Sequence, residues 1–408
     1  MLFSSVQIAV SRCSTGFTLQ ICSPLLIATL CLVLCATQNC TPKPTLPLGS
    51  VQRLGAIHGL QFEGGIKSGG VTSPRSKKQF SVNITTLPSD KRIFAADKSK
   101  KSASRESFTI VATQILESAE MGFGGISGVS GYGGCIDIAQ SRDYPLRFVS
   151  DRGWFFYTSL RVFGTSQDAT SSLSSIWISS PIADSNGLDM LPPYEDAESI
   201  TCFSNKSCLV SFEQIPRMHQ YKGLEKRSKL LFRQELLSNL GLSRNGGFEA
   251  AVPLDESYTT VFGIAEEPSV STAESSVEDH LAVWMTSTAT DPMSDGSSSG
   301  EVACSAIYQG KPGFYPTDAK WSSTGKHDGK LLVLERFYDR KTGNRSRIVQ
   351  LPLPTCPSAV NMASTADEKK RTQPLDLGSL SGTSLVELDS HSHVDNFEGL
   401  VVWPHCDK

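Results

Sequence analysis

Short apolar runs rich in Val, Ile, Phe and Tyr recur along the chain between clusters of Gly, Ser, Asp and Asn, and apolar positions at helical spacing are scarce. Such runs, bounded by turn residues, predict strands joined by hairpins. The stretch from Tyr315 to Arg336, YPTDAKWSSTGKHDGKLLVLER, shows the unit: a turn with an acid and an aromatic, a polar Gly-containing connection, then an apolar strand ending in an acid. Hairpin strands run in opposite senses, so Asp318, opening the first, and Glu335, closing the second, are expected at one end of the sheet.

The unit recurs. Glu198 (EDAES) is followed by LVSFE ending at Glu213, and Glu249 (NGGFEA) by VFGIAEE ending at Glu266 and Glu267. Ser127 (GGISGV) precedes RFVSDRG with Asp151, and Glu398 (DNFEGLVVW) begins a fifth copy. Opening and closing positions are 15 residues apart for Glu198 and Glu213, and 17 for the Glu249 and Asp318 units. Near-constant hairpins with irregular linkers predict radially repeated small sheets, an all-β β-propeller of about five to six blades. The last copy supplies one strand and then stops at HCDK, so a blade incomplete at the C-terminus is expected, with an open edge beside residues 398–404. The alternative is closure by the strand near residues 55–62.

The chain has 408 residues, 39% of them hydrophobic, enough for one large domain over 52–408. A net charge of −3 and the lack of aromatic–basic interleaving give no support to nucleic acid as a partner. Residues 1–36 lack acids and contain the apolar run PLLIATLCLVLCA, Pro24 to Ala36, short for a membrane span and suited to a signal-peptide core. Export to an extracytoplasmic space is the leading reading, with a membrane anchor (if the leader is uncleaved) or an organelle lumen as alternatives. Residues 37–51 form a Pro-rich linker, and 67–105, 268–300 and 357–380 read as low-complexity inserts between hairpins. The segment from Lys226 to Leu242 has near-helical spacing and predicts a short helix. Cys202 and Cys208 bracket one hairpin turn, as cross-strand disulfide partners or as buried thiols. Sequons at Asn83, Asn205 and Asn344 fall in polar stretches and suit glycosylation in a eukaryotic source.

Carboxylates repeated at one end of each blade converge on the central channel. Several ionised acids together repel one another and need a cation, and calcium, with six to eight oxygen ligands, is the natural candidate. Glu198, Glu249, Asp318, Asp395 and Glu398 are the expected metal ligands; Asp151, Glu213 and Glu335 are closing acids. Arg152 and Arg336 sit beside closing acids and suit bidentate phosphate binding, with Arg217, His219, Arg244 and Lys320 as weaker candidates. The competing reading has the acids capping backbone N–H groups between blades. There is no HExxH or CxxC motif, and His391 and His393 read as a polar loop.

GISG with FVSDRG, EDAES with LVSFEQ, NGGFEA, FYPTDAKW with LLVLER, and DNFEGLVVWP occur in that order over about residues 120–404. Together they resemble the successive blocks of the "esterase-like activity of phytase", or phytase-like, family. The resemblance implies an exported β-propeller acting on phosphoric esters, with Asp151, Arg152, Glu198, Glu213, Glu249, Asp318, Glu335, Arg336, Asp395 and Glu398 at family-pattern positions. The three inserts and the end of the chain depart from the pattern. On this reading the protein is a metal-assisted hydrolase of a small phosphorylated substrate, with Asp151, Arg152, Glu213, Glu335 and Arg336 catalytic. The alternative is a non-catalytic propeller that binds a ligand or protein with structural carboxylates.

Overall fold

The computed structural model describes residues 3–13, 29–36, 77–87, 93–95, 106–118, 123–132, 142–163, 170–204, 207–222, 228–232, 236–237, 240, 242, 247–270, 278–287, 300–321, 330–339, 341–357, 374–388 and 397–404. The elements are strands. The first six are β1 (Phe3–Cys13), β2 (Thr29–Ala36), β3 (Lys78–Ser81), β4 (Asn83–Leu87), β5 (Ile93–Ala95) and β6 (Glu106–Glu117). Then come β7 (Ile126–Gly131), β8 (Asp143–Ser150), β9 (Trp154–Phe163), β10 (Thr170–Leu173) and β11 (Ile176–Pro181). They are followed by β12 (Ala197–Ser204), β13 (Ser207–Phe212), β14 (Arg217–Lys222) and β15 (Ser228–Phe232). Next are β16 (Ala250–Pro253), β17 (Thr260–Val270), β18 (Glu278–Ser287) and β19 (Gly300–Gly310). The last six are β20 (Phe314–Trp321), β21 (Lys330–Asp339), β22 (Gly343–Pro352), β23 (Leu375–Leu380), β24 (Thr383–Leu388) and β25 (Phe397–Pro404).

Four sheets are antiparallel meanders read outward from their first strand: β7-β8-β9-β11, β12-β13-β14-β15, β16-β17-β18-β19 and β20-β21-β22-β24. They form a propeller-like ring of four blades. A fifth sheet, ordered β25-β2-β1-β6-β4, is built from both ends of the chain. The inner strands pack in a closed circuit, β7 on β12, β12 on β16, β16 on β20, β20 on β25 and β25 on β7. Within it backbones approach closely: a side chain at Gly128 would fall 2.9 Å from the Ile200 nitrogen, and one at Gly399 would fall 3.0 Å from the Val129 nitrogen.

Alternation along the strands buries a hydrophobic cluster between successive sheets. Val149, Phe155, Val210 and Phe212 lie between the first and second blades. Leu209, Phe232, Val261 and Met285 lie between the second and third, and Phe262, Trp284, Leu331 and Val333 between the third and fourth. Leu332, Leu334 and Leu400 join the fourth blade to β25, and Val129, Phe148, Trp177 and Trp403 join β25 to the first blade.

Several expectations are corrected. The count of five to six blades is not confirmed. No open edge lies beside 398–404, because β25 pairs on its outward side with β2, Leu32 opposite Val401, which satisfies backbone groups that an edge would expose. The other closing candidate, 55–62, lies outside the described residues. Within the expected helix, residues 228–232 are instead β15, whose Leu231 and Phe232 are buried against the third blade; Leu236 and Leu237 are helical, and much of the remainder lies outside the described residues. Parts of the three inserts are strands: β3, β4 and β5 in the first, β18 with the end of β17 in the second, and β23 in the third. β3 and β4 are separated by Val82 alone yet join different sheets, and β23 and β24 likewise pair with β19 and β22, so short straps tie neighbouring sheets at their outer edges. Cys202 and Cys208 are disulfide-bonded across β12 and β13, and Cys304–Cys356, which spacing did not suggest, ties β19 to the segment after β22.

Candidate functional site

The mouth is built by one device repeated around the ring. At the start of each inner strand one extra residue is inserted, a β-bulge that re-aims its side chain. Ile126 and Gly128 pair with consecutive residues of β8, leaving Ser127 out; Ala197 and Ser199 leave out Glu198; Pro316 and Asp318 leave out Thr317; Phe397 and Gly399 leave out Glu398. Opposite, the N–H of Asp151 donates to Gly125 O at 2.9 Å, Glu213 N–H to Asp196 O at 2.9 Å, and Glu266 N–H to Gly247 O at 3.1 Å. In the third blade Ala250 pairs with Ile264, so Glu249 takes the bulge position there. In the fourth, Arg336 pairs with Tyr315, two residues before Thr317. The equivalent opening positions are therefore Ser127, Glu198, Glu249, Thr317 and Glu398, and the closing ones Asp151, Glu213, Glu266 and Arg336.

This register corrects two expectations. Asp318 and Glu335 each lie one residue from the mouth position, and one residue along a strand turns the side chain to the other face. Both are completely buried. Asp318 accepts from Leu400 N at 2.8 Å and Ala319 N at 2.8 Å and from the Lys320 ammonium, so it latches β20 to β25. Glu335 is held by the Arg347 guanidinium and the Tyr308 hydroxyl. Neither oxygen pair is offered to a ligand at the mouth; the first acid is an inter-sheet cap and the second half of a buried ion pair.

Asp151, Glu198, Glu213, Glu249, Glu266 and Glu398 are brought together, with Asp196, which sequence reasoning missed although it lies two residues before Glu198. Oxygens of Asp196, Glu198 and Glu213 lie within 4.8 Å of one another, and so do those of Glu213, Glu249 and Glu266. Two oxygens on opposite sides of a calcium ion, at about 2.3–2.6 Å each, stand roughly 5 Å apart, so both groups have the spacing to share an ion. Burial, then Glu213 and Asp196, pushes Glu198 well above the usual carboxylate range, and burial and Glu266 do the same to Glu249. Glu213 is pushed to about 8 by burial and by Glu266, Asp196 and Glu267, against the pull of Arg336. Glu398 is raised to about 7 by burial despite Arg336, and Asp151 to about 7 by burial despite Arg152. The cluster is short of positive charge.

Arg336 is the cation within it. Its Nη1 donates to Glu398 at 2.5 Å and its Nη2 to Glu266 at 2.7 Å, with Glu249 at 4.0 Å. Burial works against its charge, but Glu249, Glu398 and Glu266 hold it firmly protonated. Arg152 stands at the rim, 44% exposed and 3.9 Å from Asp151. Gly124 and Gly125 have positive φ, and a side chain at Gly125 would fall 1.9 Å from Asp151 Oδ1, so the GGISG glycines make room for that carboxylate. Arg217 and His219 lie within the second blade: Arg217 stacks on Phe212, and His219, lowered to about 3 by burial and Arg217, meets Ser228 Oγ at 2.7 Å. Asp395, Arg244, His391 and His393 lie outside the described residues.

The family profile described as "Phytase-like: Esterase-like activity of phytase" matches residues 122–408, more than half of the chain. The chain belongs to this family. The match takes in all four blades, β25 and every mouth position identified above. A search of curated proteins finds no match. Among solved structures, a chain from the "Crystal structure of Nidogen/Laminin Complex" aligns over 77% of this chain and 99% of its own, at 8% identity and a TM-score of 0.29, too slight a likeness to carry an argument. In this phytase-like chain, then, the acids among the described residues grouped so that they could hold an ion are Asp196, Glu198, Glu213, Glu249 and Glu266.

Proposed function

We propose that the protein is an exported phosphoric ester hydrolase that works with a divalent cation, calcium by its oxygen-only ligands, at the carboxylate mouth. The observation that carries this reading is the two oxygen groups sharing Glu213, set among acids that burial and mutual repulsion hold above their usual range. A bound cation would neutralise those acids and polarise the phosphoryl group. Asp151, raised to about 7 and at the edge of the cluster, suits a general base that takes a proton from water as the water oxygen bonds to phosphorus. The P–O bond to the alcohol breaks with its electron pair on the alcohol oxygen, which takes a proton from solvent. Arg152, half exposed beside Asp151, is the side chain free in geometry to meet a phosphate oxygen, whereas Arg336 is committed to three carboxylates. Two disulfides among the described residues fit an oxidising compartment, which supports export.

The second reading, a binding propeller with structural acids, is favoured by Asp318 and Glu335, which do serve the scaffold. Phosphomonoesterase and phosphodiesterase assays with calcium and with chelator separate the two. Turnover that chelator abolishes and calcium restores supports the hydrolase; no turnover of either ester class at any calcium concentration overturns it.

A further inference from the structure

Beside the mouth the chain presents an apolar lip. Leu188, Leu191 and Tyr194 are 66%, 56% and 53% exposed, half of the exposed large hydrophobic side chains among the described residues, gathered within seven positions. The segment runs directly into Glu195, Asp196 and Glu198. It is a built surface. Asp184 N–H donates to Leu188 O at 2.8 Å, Met190 N–H to Ile182 O at 2.9 Å and Tyr194 N–H to Leu191 O at 2.7 Å. Arg217, buried beneath, donates to Tyr194 O and lies 5.6 Å from the Tyr194 ring centroid. A side chain at Gly153 would fall 2.7 Å from Glu195 Cβ, so this segment rests against the turn that carries Asp151 and Arg152.

The charge around it is one-sided. Among the described residues the carboxylates of the mouth feel two guanidinium groups, Arg152 and Arg336, and the second is already paired with Glu249, Glu266 and Glu398. A polyphosphorylated ligand would bring several more negative charges to a cluster in which, among the described residues, acids outnumber cations, and like charges disfavour association. A single phosphoryl group needs one bridging cation, and its ester group can lie on the lip.

We infer that the substrate class is a phosphoric ester of low charge with an apolar alcohol, an aryl or alkyl phosphate, seated with the phosphoryl group at the carboxylates and the alcohol on Leu191 and Tyr194. This rests on the hydrolase reading above and narrows it. Burying apolar surface on both partners supplies the affinity, and an aromatic group can also pack on the Tyr194 ring.

The test compares KM for 1-naphthyl phosphate, glycerol phosphate and inositol hexakisphosphate in calcium, for the native protein and for Leu191→Ser and the Leu191→Ser/Tyr194→Ser double variant. The expected result is the lowest KM for the naphthyl ester. In the double variant the ratio of its KM to that of glycerol phosphate rises about tenfold, equivalent to about 1.4 kcal/mol. The single variant keeps the Arg217–Tyr194 contact and shows part of the same change, so a fold defect does not account for it. Turnover of all three esters with an unchanged ratio, or tightest binding of the hexakisphosphate, overturns the inference while leaving the hydrolase reading standing. No turnover of any ester overturns both.

Discussion

Raising the pH in the absence of divalent cations tests the carboxylate cluster most directly. A carboxyl whose titration is raised on folding binds more protons in the native than in the unfolded state between the two pKa values, so stability falls as pH rises through that window. The penalty is absent below the unfolded value and complete above the folded one. Glu398, buried, moves from 4.5 to about 7, and at about 1.4 kcal/mol per pH unit it alone costs roughly 3 kcal/mol at high pH. Asp151, raised from 3.8 to about 7, and Glu213, raised from 4.5 to about 8, act in the same direction. In chelator the thermal midpoint should fall between about pH 5 and pH 8 by about 5 °C or more. Calcium at about a hundred times its Kd should return roughly 2.7 kcal/mol, more fully at pH 8, where the acids are ready to lose their protons, than at pH 5. The measurement is a set of melts across that range with chelator or millimolar calcium. A midpoint flat with pH in chelator, together with no calcium shift at pH 8, would refute the picture of an under-neutralised mouth.

The strands and their closing acids were legible because each hairpin carries its own punctuation, and the order of the blocks gave the family. The inner ring was legible in position but not in register. In the fourth unit Asp318 and Glu335 look like the acids of the other units, yet the bulge falls on Thr317, so the mouth positions are Thr317 and Arg336. A bulge costs one residue and leaves no mark in composition, while its effect is to exchange the two faces of the strand. Counting backwards from the closing position would have found it: the residue paired with or bonded to the closing one lies two before the opening one in each blade. The fifth sheet was illegible for another reason. The pairing of β25 with β2 links residues more than three hundred positions apart, and no local signal specifies a partner at that distance. Cys304 and Cys356 were similarly hidden by 52 residues of separation.

Removing each disulfide should show that separation in the unfolded state: replacing Cys304 and Cys356 by Ser should cost about 4 kcal/mol and replacing Cys202 and Cys208 about 2, because their separations are 52 and 6 residues. Equal losses in denaturant unfolding would set that account aside. Gly125→Ala, at φ +58° with Asp151 Oδ1 in the way, should destabilise by about 2 kcal/mol and reduce phosphoester turnover; a variant with native stability and activity would show that the turn is tolerant. Asp318→Asn strips the buried Lys320 of its counter-charge and should cost about 3 kcal/mol in denaturant unfolding, and a loss under 1 would deny the latch to β25. Arg336→Gln distinguishes a ring counter-ion from a phosphate clamp. Its guanidinium is 2.5 Å from Glu398 and 2.7 Å from Glu266, so removing it takes this counter-charge from the buried Glu398 and the partly buried Glu266, about 3–5 kcal/mol at pH 8. Those acids can escape the penalty by binding protons, so the difference from the native protein should shrink toward pH 5, and calcium should recover part of it at pH 8. A clamp for substrate would behave otherwise: the variant would fold with native stability at both pH values and lose turnover alone, and that result would move Arg336 from the scaffold of the mouth into its chemistry.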